Sequence, residues 1–239
     1  MAHFPFQRLQ ADLAALIART PPGTRLTSEP ELAKQLGVSR ATLREAMRTF
    51  ETQGLIRRRQ GSGTYVVGKV PVFEAGLEVL ESLETMARRM NLKLTVSDLQ
   101  VEQIEAAGEV AKGLGIPRGT RLTRIRRVMR VNGRPAAYLV DILPEKILAA
   151  DELPQDFSGS VLDFLIARGD DLHISRASIS ATNAPAEVAK PLEIQRDDVL
   201  LKFVSQLFDS NGNALDYSES YFIPGYFRFH VNRRVEKSR

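Results

Sequence analysis

The chain has 239 residues, 43% of them hydrophobic and 26% charged, which suits a globular protein of one large or two small domains. It contains no cysteine, so disulfides, thiolate metal sites and cysteine nucleophiles are excluded. No apolar run approaches the ~20 residues of a membrane helix, and the opening MAHFPFQRLQADL lacks the layout of a secretion signal. A cytoplasmic location without membrane contact is therefore expected. Residues 1–70 hold eleven Lys/Arg and five Asp/Glu, a net charge of +6, whereas the remainder carries −2. A basic unit on a near-neutral body indicates either a polyanion partner or a solvated basic face.

Residues 6–19 place Leu9, Leu13, Leu16 and Ile17 on one helical stripe, and PPG at 21–23 ends that helix. SEPE at 28–31 fits a capping box, with Ser28 as N-cap and Glu31 three positions on, opening a second helix that Gly37 stops. Ser39 caps a third helix that runs to about Gln53, with Leu43, Met47 and Phe50 inward. Helix, short glycine-containing turn, helix is the layout of a helix-turn-helix. Arg40, Arg44 and Arg48 recur every four residues and line one face, where they repel one another unless an anion lies against them. Ser39 and Thr42 sit at the positive end of this helix, which suits a phosphate. LIRRRQGSGTYVV then reads as strand, tight turn, strand: a wing entered through Arg57, Arg58 and Arg59. GSG alone is no more than a hairpin turn, but behind an arginine-lined helix it indicates DNA binding, its glycines allowing close approach to a minor groove.

The segment SEPELAKQLGVSRATLREAMRTFETQGLIRRRQGSGTYV resembles the winged helix-turn-helix domain of GntR-type bacterial transcription regulators, over about residues 5–67. The resemblance implies that Ser39, Arg40, Thr42 and Arg44 contact the operator with Arg48 nearby, and that Gln60, Gly61 and Gly63 sit in the wing tip. It also marks a departure: Pro30 stands where the family usually has arginine, so one contact is lost, and Thr27 replaces a common proline.

A linker across 68–76 separates this domain, residues 1–67, from a second at 77–239. The second contains an internal repeat. GEVAKGLGIPRG at 108 and AEVAKPLEIQRD at 186 each follow a strand (LTVSDLQVEQ, LHISRASISA) and precede two alternating segments joined by Asn-Gly. Asn132-Gly133 and Asn211-Gly212 are strong hairpin signals. With a helix at 160–169, the expected class is α+β: two repeats forming a mainly antiparallel sheet with helices on one side. The NG-x-P hairpin, FSGSVLDFL, EVAK-x-L and YFRFHV, in this order, resemble the effector-binding UTRA domain of the HutC branch of GntR regulators, which has the chorismate-lyase fold. That match covers roughly residues 77–235 and implies a small-molecule effector. Because one recognition helix buries too little surface for tight specific binding, a homodimer on palindromic double-stranded DNA is expected.

One residue breaks the pattern of the strand RLTRIRRVMRV, residues 121–131. Thr123, Ile125, Arg127, Met129 and Val131 share an apolar face, opposite a basic face expected to be wet. A buried guanidinium needs a partner: Asp141 or Asp216 in a structural ion pair, or a ligand. Asp216, Ser218, Ser220 and Phe222 alternate onto one face, which a ligand pocket would explain. In sugar-phosphate-sensing relatives, residues at the positions of Arg127, Ser160 and Asp216 help hold the ligand, and this chain keeps all three. It has Met129, Leu139, Leu162 and Phe222 where those relatives have polar or charged groups, and Glu81 and Glu84 near their phosphate-binding loop. An effector less polar than a sugar phosphate is expected, its one acidic or hydrogen-bonding group meeting Arg127.

His3, His173 and His230 show no metal-ligand spacing, and no nucleophile elbow or phosphate loop is present, so neither a catalytic residue, a metal nor a cofactor is assigned. Three readings stand: an effector-controlled DNA-binding regulator with repression as its expected sign, a ligand-independent DNA-binding dimer, and an enzyme fused to a DNA-binding module.

Overall fold

The computed structural model describes residues 4–59, 62–67, 72–154, 157 and 159–233. They form two compact units. In the first, α1 (Phe4–Arg19), α2 (Glu29–Gln35) and α3 (Arg40–Thr52) precede a hairpin of β1 (Ile56–Arg59) and β2 (Gly63–Val66). The stripes expected from periodicity are the core: Leu9, Leu13 and Ile17 pack with Leu32, Leu43, Met47, Phe50 and Ile56, while Leu16 lies at its margin. Ser39 caps α3, its Oγ accepting from the Thr42 amide at 3.0 Å. Ser28 departs from the expected box. Its hydroxyl donates to the Glu31 carboxylate at 2.7 Å, so the side chains satisfy each other and the hydroxyl caps no backbone amide. The wing gains a third segment, because the Leu26 amide bonds Thr64 O at 2.7 Å and the Val66 amide bonds Thr24 O at 2.9 Å.

The second unit is built on a six-stranded sheet of order β4-β5-β6-β9-β8-β7, antiparallel throughout. Its strands are β4 (Leu94–Glu105), β5 (Arg121–Val131), β6 (Arg134–Pro144), β7 (Ile174–Asn183), β8 (Val199–Phe208) and β9 (Ala214–Phe222). The order is palindromic about the β6–β9 seam: each repeat supplies an outer strand and a hairpin, and the inner strands pair at the centre. Short helices α5 (Gly108–Leu114) and α7 (Ala186–Ala189) occupy the matching repeat positions, and α6 (Val161–Arg168) follows β6.

Four features differ from the sequence-based expectation. Helices cover both faces of the sheet. Ala111 and Leu114 of α5 pack on Leu122 and Ile142, whereas Val161 and Leu165 of α6 pack on Ile125 and Leu143, residues of opposite parity on the same two strands. The basic face of β5 is accordingly not wet: Leu122 and Val128 are buried, and Arg124 and Arg126 are only partly exposed and share Glu102 on β4. The two Asn-Gly turns also diverge. Asn132 and Gly133 have φ of 50° and 80°, as a two-residue type I′ turn requires. The second connection is a five-residue loop instead, in which Asp209 accepts from the amides of Asn211 and Asn213 at 2.9 and 2.7 Å. Finally, the expected linker is shorter at its C-terminal end. Residues 73–76 form β3 (Phe73–Gly76), paired in parallel with β10 (Phe227–His230). The fully buried Phe73, stacked on Phe227 at 5.2 Å, makes this segment part of the second unit.

Candidate DNA-binding face and effector cavity

On the first unit, Ser39, Arg40, Thr42 and Arg44 project from the exposed side of α3, opposite its buried Leu43, Ala46 and Met47. Arg48 lies half-buried on the same helix. Of these arginines, Arg44 has an acidic partner within the chain: Glu29, at the start of α2, takes Arg44 Nε at 2.6 Å and also Arg58 Nε of β1 at 3.3 Å. Arg44 nonetheless keeps 57% of its side chain exposed, against 16% for Glu29, so its outer edge stays accessible. Gly63 serves the wing's own geometry. It has φ of +106°, and a Cβ there would lie 2.5 Å from Arg25 Nε. Gln60 and Gly61 fall outside the described residues.

On the second unit, a cavity of about 740 Å³ opens on the α6 side of the sheet, a size that suits a small-molecule ligand. Arg127, Asp141, Ser160, Asp216 and Ser218 form its polar wall, and Leu139, Leu162, Phe203 and Phe222 much of its apolar one. Six of the seven residues expected at an effector site thus come together. Met129 does not: it shares the strand face with Arg127 but is wholly buried and is not part of the lining. The sequence reading missed Phe203 and α4 (Leu83–Arg89), the helix capped by Ser82 that carries Glu84 to the cavity wall. The SxxT spacing of Ser82 and Thr85, whose amide bonds Ser82 Oγ at 3.0 Å, was the signal available for that helix.

Arg127 is only 3% exposed, and its guanidinium is engaged by Asp141. The register explains the pairing. Arg127 stands opposite Leu139, so Asp141 is its diagonal neighbour on the same face. Asp216 is 6% exposed and accepts from the Ile142 amide at 3.1 Å. Burial first, then the negative charge of Asp141, push its carboxyl well above the ordinary range. The native state therefore binds this proton more tightly than the unfolded chain, and the associated stability is lost as pH rises from the ordinary value of 3.8 through the raised one. Asp216→Asn, which keeps an acceptor for Ile142, is expected to raise the thermal midpoint near neutrality, with the gain shrinking towards pH 3.8. A midpoint unchanged at neutral pH would contradict the shift.

Ser160 carries two duties. It lines the cavity, and its Oγ caps α6 by accepting from the Asp163 amide at 3.0 Å. Ser160→Ala is expected to cost about 0.5–2 kcal/mol in urea unfolding without any ligand, and Ser160→Thr to restore most of it. An alanine variant as stable as the parent would remove the capping role.

Residues 6–66 match the family described as bacterial regulatory proteins, gntR family, and residues 89–228 match the UTRA domain. The chain is 31% identical over 205 residues to the HTH-type transcriptional repressor NagR of Bacillus subtilis, covering 84% of this chain and 82% of that one. It is 30% identical over 182 residues to the histidine utilization repressor of Klebsiella aerogenes, covering 75% and 73%. Among solved structures, PhnF from Mycobacterium smegmatis shares the fold with a TM-score of 0.64 at 20% identity, over 95% of this chain and all of that one. The exposed α3, the wing and the separate cavity-bearing sheet have a common explanation in these matches: the chain belongs to the GntR family of bacterial transcription regulators and carries their effector-binding UTRA domain.

Proposed function

We propose that this protein is a repressor that binds a palindromic operator as a homodimer and releases it when a small effector enters the cavity. What carries this reading is one chain that holds both an exposed α3 lined by Ser39, Arg40, Thr42 and Arg44 and, in its other unit, a cavity lined by Arg127, Ser160 and Asp216. A single recognition helix buries too little surface for tight specific binding, and two-fold proteins read two-fold sites, which supports the dimer. The apolar wall of Leu139, Leu162, Phe203 and Phe222 favours an effector less polar than a sugar phosphate.

A physical route from cavity to operator runs through β3. Ala75 and Gly76 of β3 line the cavity, as do Leu77 to Glu84, and β3 directly follows the connection to the first unit in the sequence. An effector that binds one arrangement of this wall better than another shifts the chain between DNA-competent and incompetent states by that difference in affinity, and by no more.

The test is selection of duplexes from a random DNA pool by the purified protein. Wild type is expected to enrich a two-fold symmetric site, and the Arg40→Ala/Arg44→Ala variant to enrich none. Enrichment of an asymmetric site would remove the dimer, and equal enrichment by both proteins would remove the assigned face.

A further inference from the structure

The wall of the cavity holds more carboxylate than cation. Glu84, Arg127, Asp141 and Asp216 all line it, and the electrostatic influence of the Arg127 and Asp141 charges reaches both Glu84 and Asp216. The only guanidinium of this group donates to Asp141 through Nη1, while its Nε is buried without a hydrogen-bond partner. Among the described residues, neither Glu84 nor Asp216 forms an ion pair, and Glu84 Oε1 is buried without a hydrogen-bond partner. The other lining carboxylates are occupied elsewhere: Glu81 pairs with Arg89 at 2.9 Å, and Glu78 accepts from the Asn232 amide. His173 is the remaining titratable group of the wall.

A desolvated carboxylate oxygen with no donor is costly. Burial already pushes the Glu84 carboxyl up, so the site draws a proton in place of a cation. An anionic head entering here finds no unpaired cation, because the guanidinium already faces the Asp141 carboxylate, and it would hold the Glu84 and Asp216 carboxyls in their neutral forms rather than use their charge. A cationic head meets the reverse, with the aliphatic and aromatic wall left for an apolar body.

We propose that the cavity takes an amphipathic cation: an organic amine whose ammonium pairs with Glu84 beside the Arg127–Asp141 bridge and whose body lies along Leu139, Leu162, Phe203 and Phe222. This assignment deepens the effector reading and rests on it for its biological meaning. It also reverses the acidic group that Arg127 suggested in the sequence, because Asp141 already supplies that acid.

Calorimetric titration of the full chain with 3-phenylpropylamine, 3-phenylpropan-1-ol and 3-phenylpropionate, one body with three heads, tests it. The amine is expected to bind tightest, about tenfold or more above the alcohol, and the acid weakest. In Glu84→Gln the amine is expected to lose its margin over the alcohol. An acid that binds as well as the amine overturns the proposal, as does failure of all three to bind at millimolar concentration, or a folded Glu84→Gln that keeps the full preference. The wild-type ranking decides the sign of the charge by itself, so the proposal stands or falls even if the variant does not fold. Operator affinity on the same samples separates the two readings. An amine that binds through Glu84 without moving operator affinity upholds the charge assignment and overturns the effector reading, whereas an acid that binds and moves it does the opposite.

Discussion

Asp141→Ala is expected to destabilise the folded chain by about 3–5 kcal/mol, towards the lower end near neutrality and more in acid. The cause is the partner it strands. Arg127 is nearly inaccessible, and a guanidinium cannot discharge by losing a proton. Near neutral pH, Asp216 and Glu84 can ionise towards Arg127 and take up part of the lost attraction, whereas in acid both stay protonated and compensation fails. The paired replacement Arg127→Met/Asp141→Leu removes both charges and is expected to lie closer to wild type than Asp141→Ala alone. Urea unfolding of the three proteins at two pH values measures this. A single variant as stable as wild type, or a double variant worse than the single, would show that the bridge does not govern the stability of the β5–β6 hairpin.

Arg44→Ala is expected to weaken operator binding by about 1–3 kcal/mol for each α3 on the DNA, and a two-fold complex carries the substitution twice. Arg44 is held by Glu29 in the free protein, which fixes its side chain across the start of α2 while more than half of it remains exposed. The substitution removes only a surface pair, worth less than about 1 kcal/mol to folding, so the thermal midpoint is expected to stay close to that of wild type. Fluorescence anisotropy over a range of salt separates the forms of contact. A phosphate contact reduces the salt slope by about one per site, whereas a base contact relaxes preference at one position of the operator. Unchanged affinity would place the recognition face elsewhere.

The sequence made the first unit legible because its signals are local. Ser39, Gly37, Gly54 and a 3.6-residue stripe each act within one helix, and α1 to α3 begin and end close to where those residues indicate. The repeats were legible for a similar reason, and six strands follow from two copies of one pattern. What was hidden depends on neighbours distant in the chain. Alternation in β5 separates two faces but does not say what covers them. Arg124 and Arg126 read as wet until Glu102 of β4 is placed beside them. Residues 73–76 read as linker because their partner, β10, lies some 150 positions later and pairs with them in parallel. Met129 was grouped with Arg127 by parity, yet a shared face does not ensure that every residue reaches the same cavity. Asp141 was named beforehand as one of two partners for Arg127; the choice between them follows from the hairpin register.

The central claim is that cavity occupancy controls grip on DNA. The measurement that tests it most directly is operator affinity in the absence and presence of a saturating ligand, one chosen because it raises the thermal midpoint of wild type but not of a variant with the cavity filled by Ser220→Trp. A fall in operator affinity of about tenfold or more for wild type, corresponding to about 1.4 kcal/mol of coupling, and none for the filled variant, is the predicted result. Equal operator affinity for free and ligand-saturated wild type would contradict it.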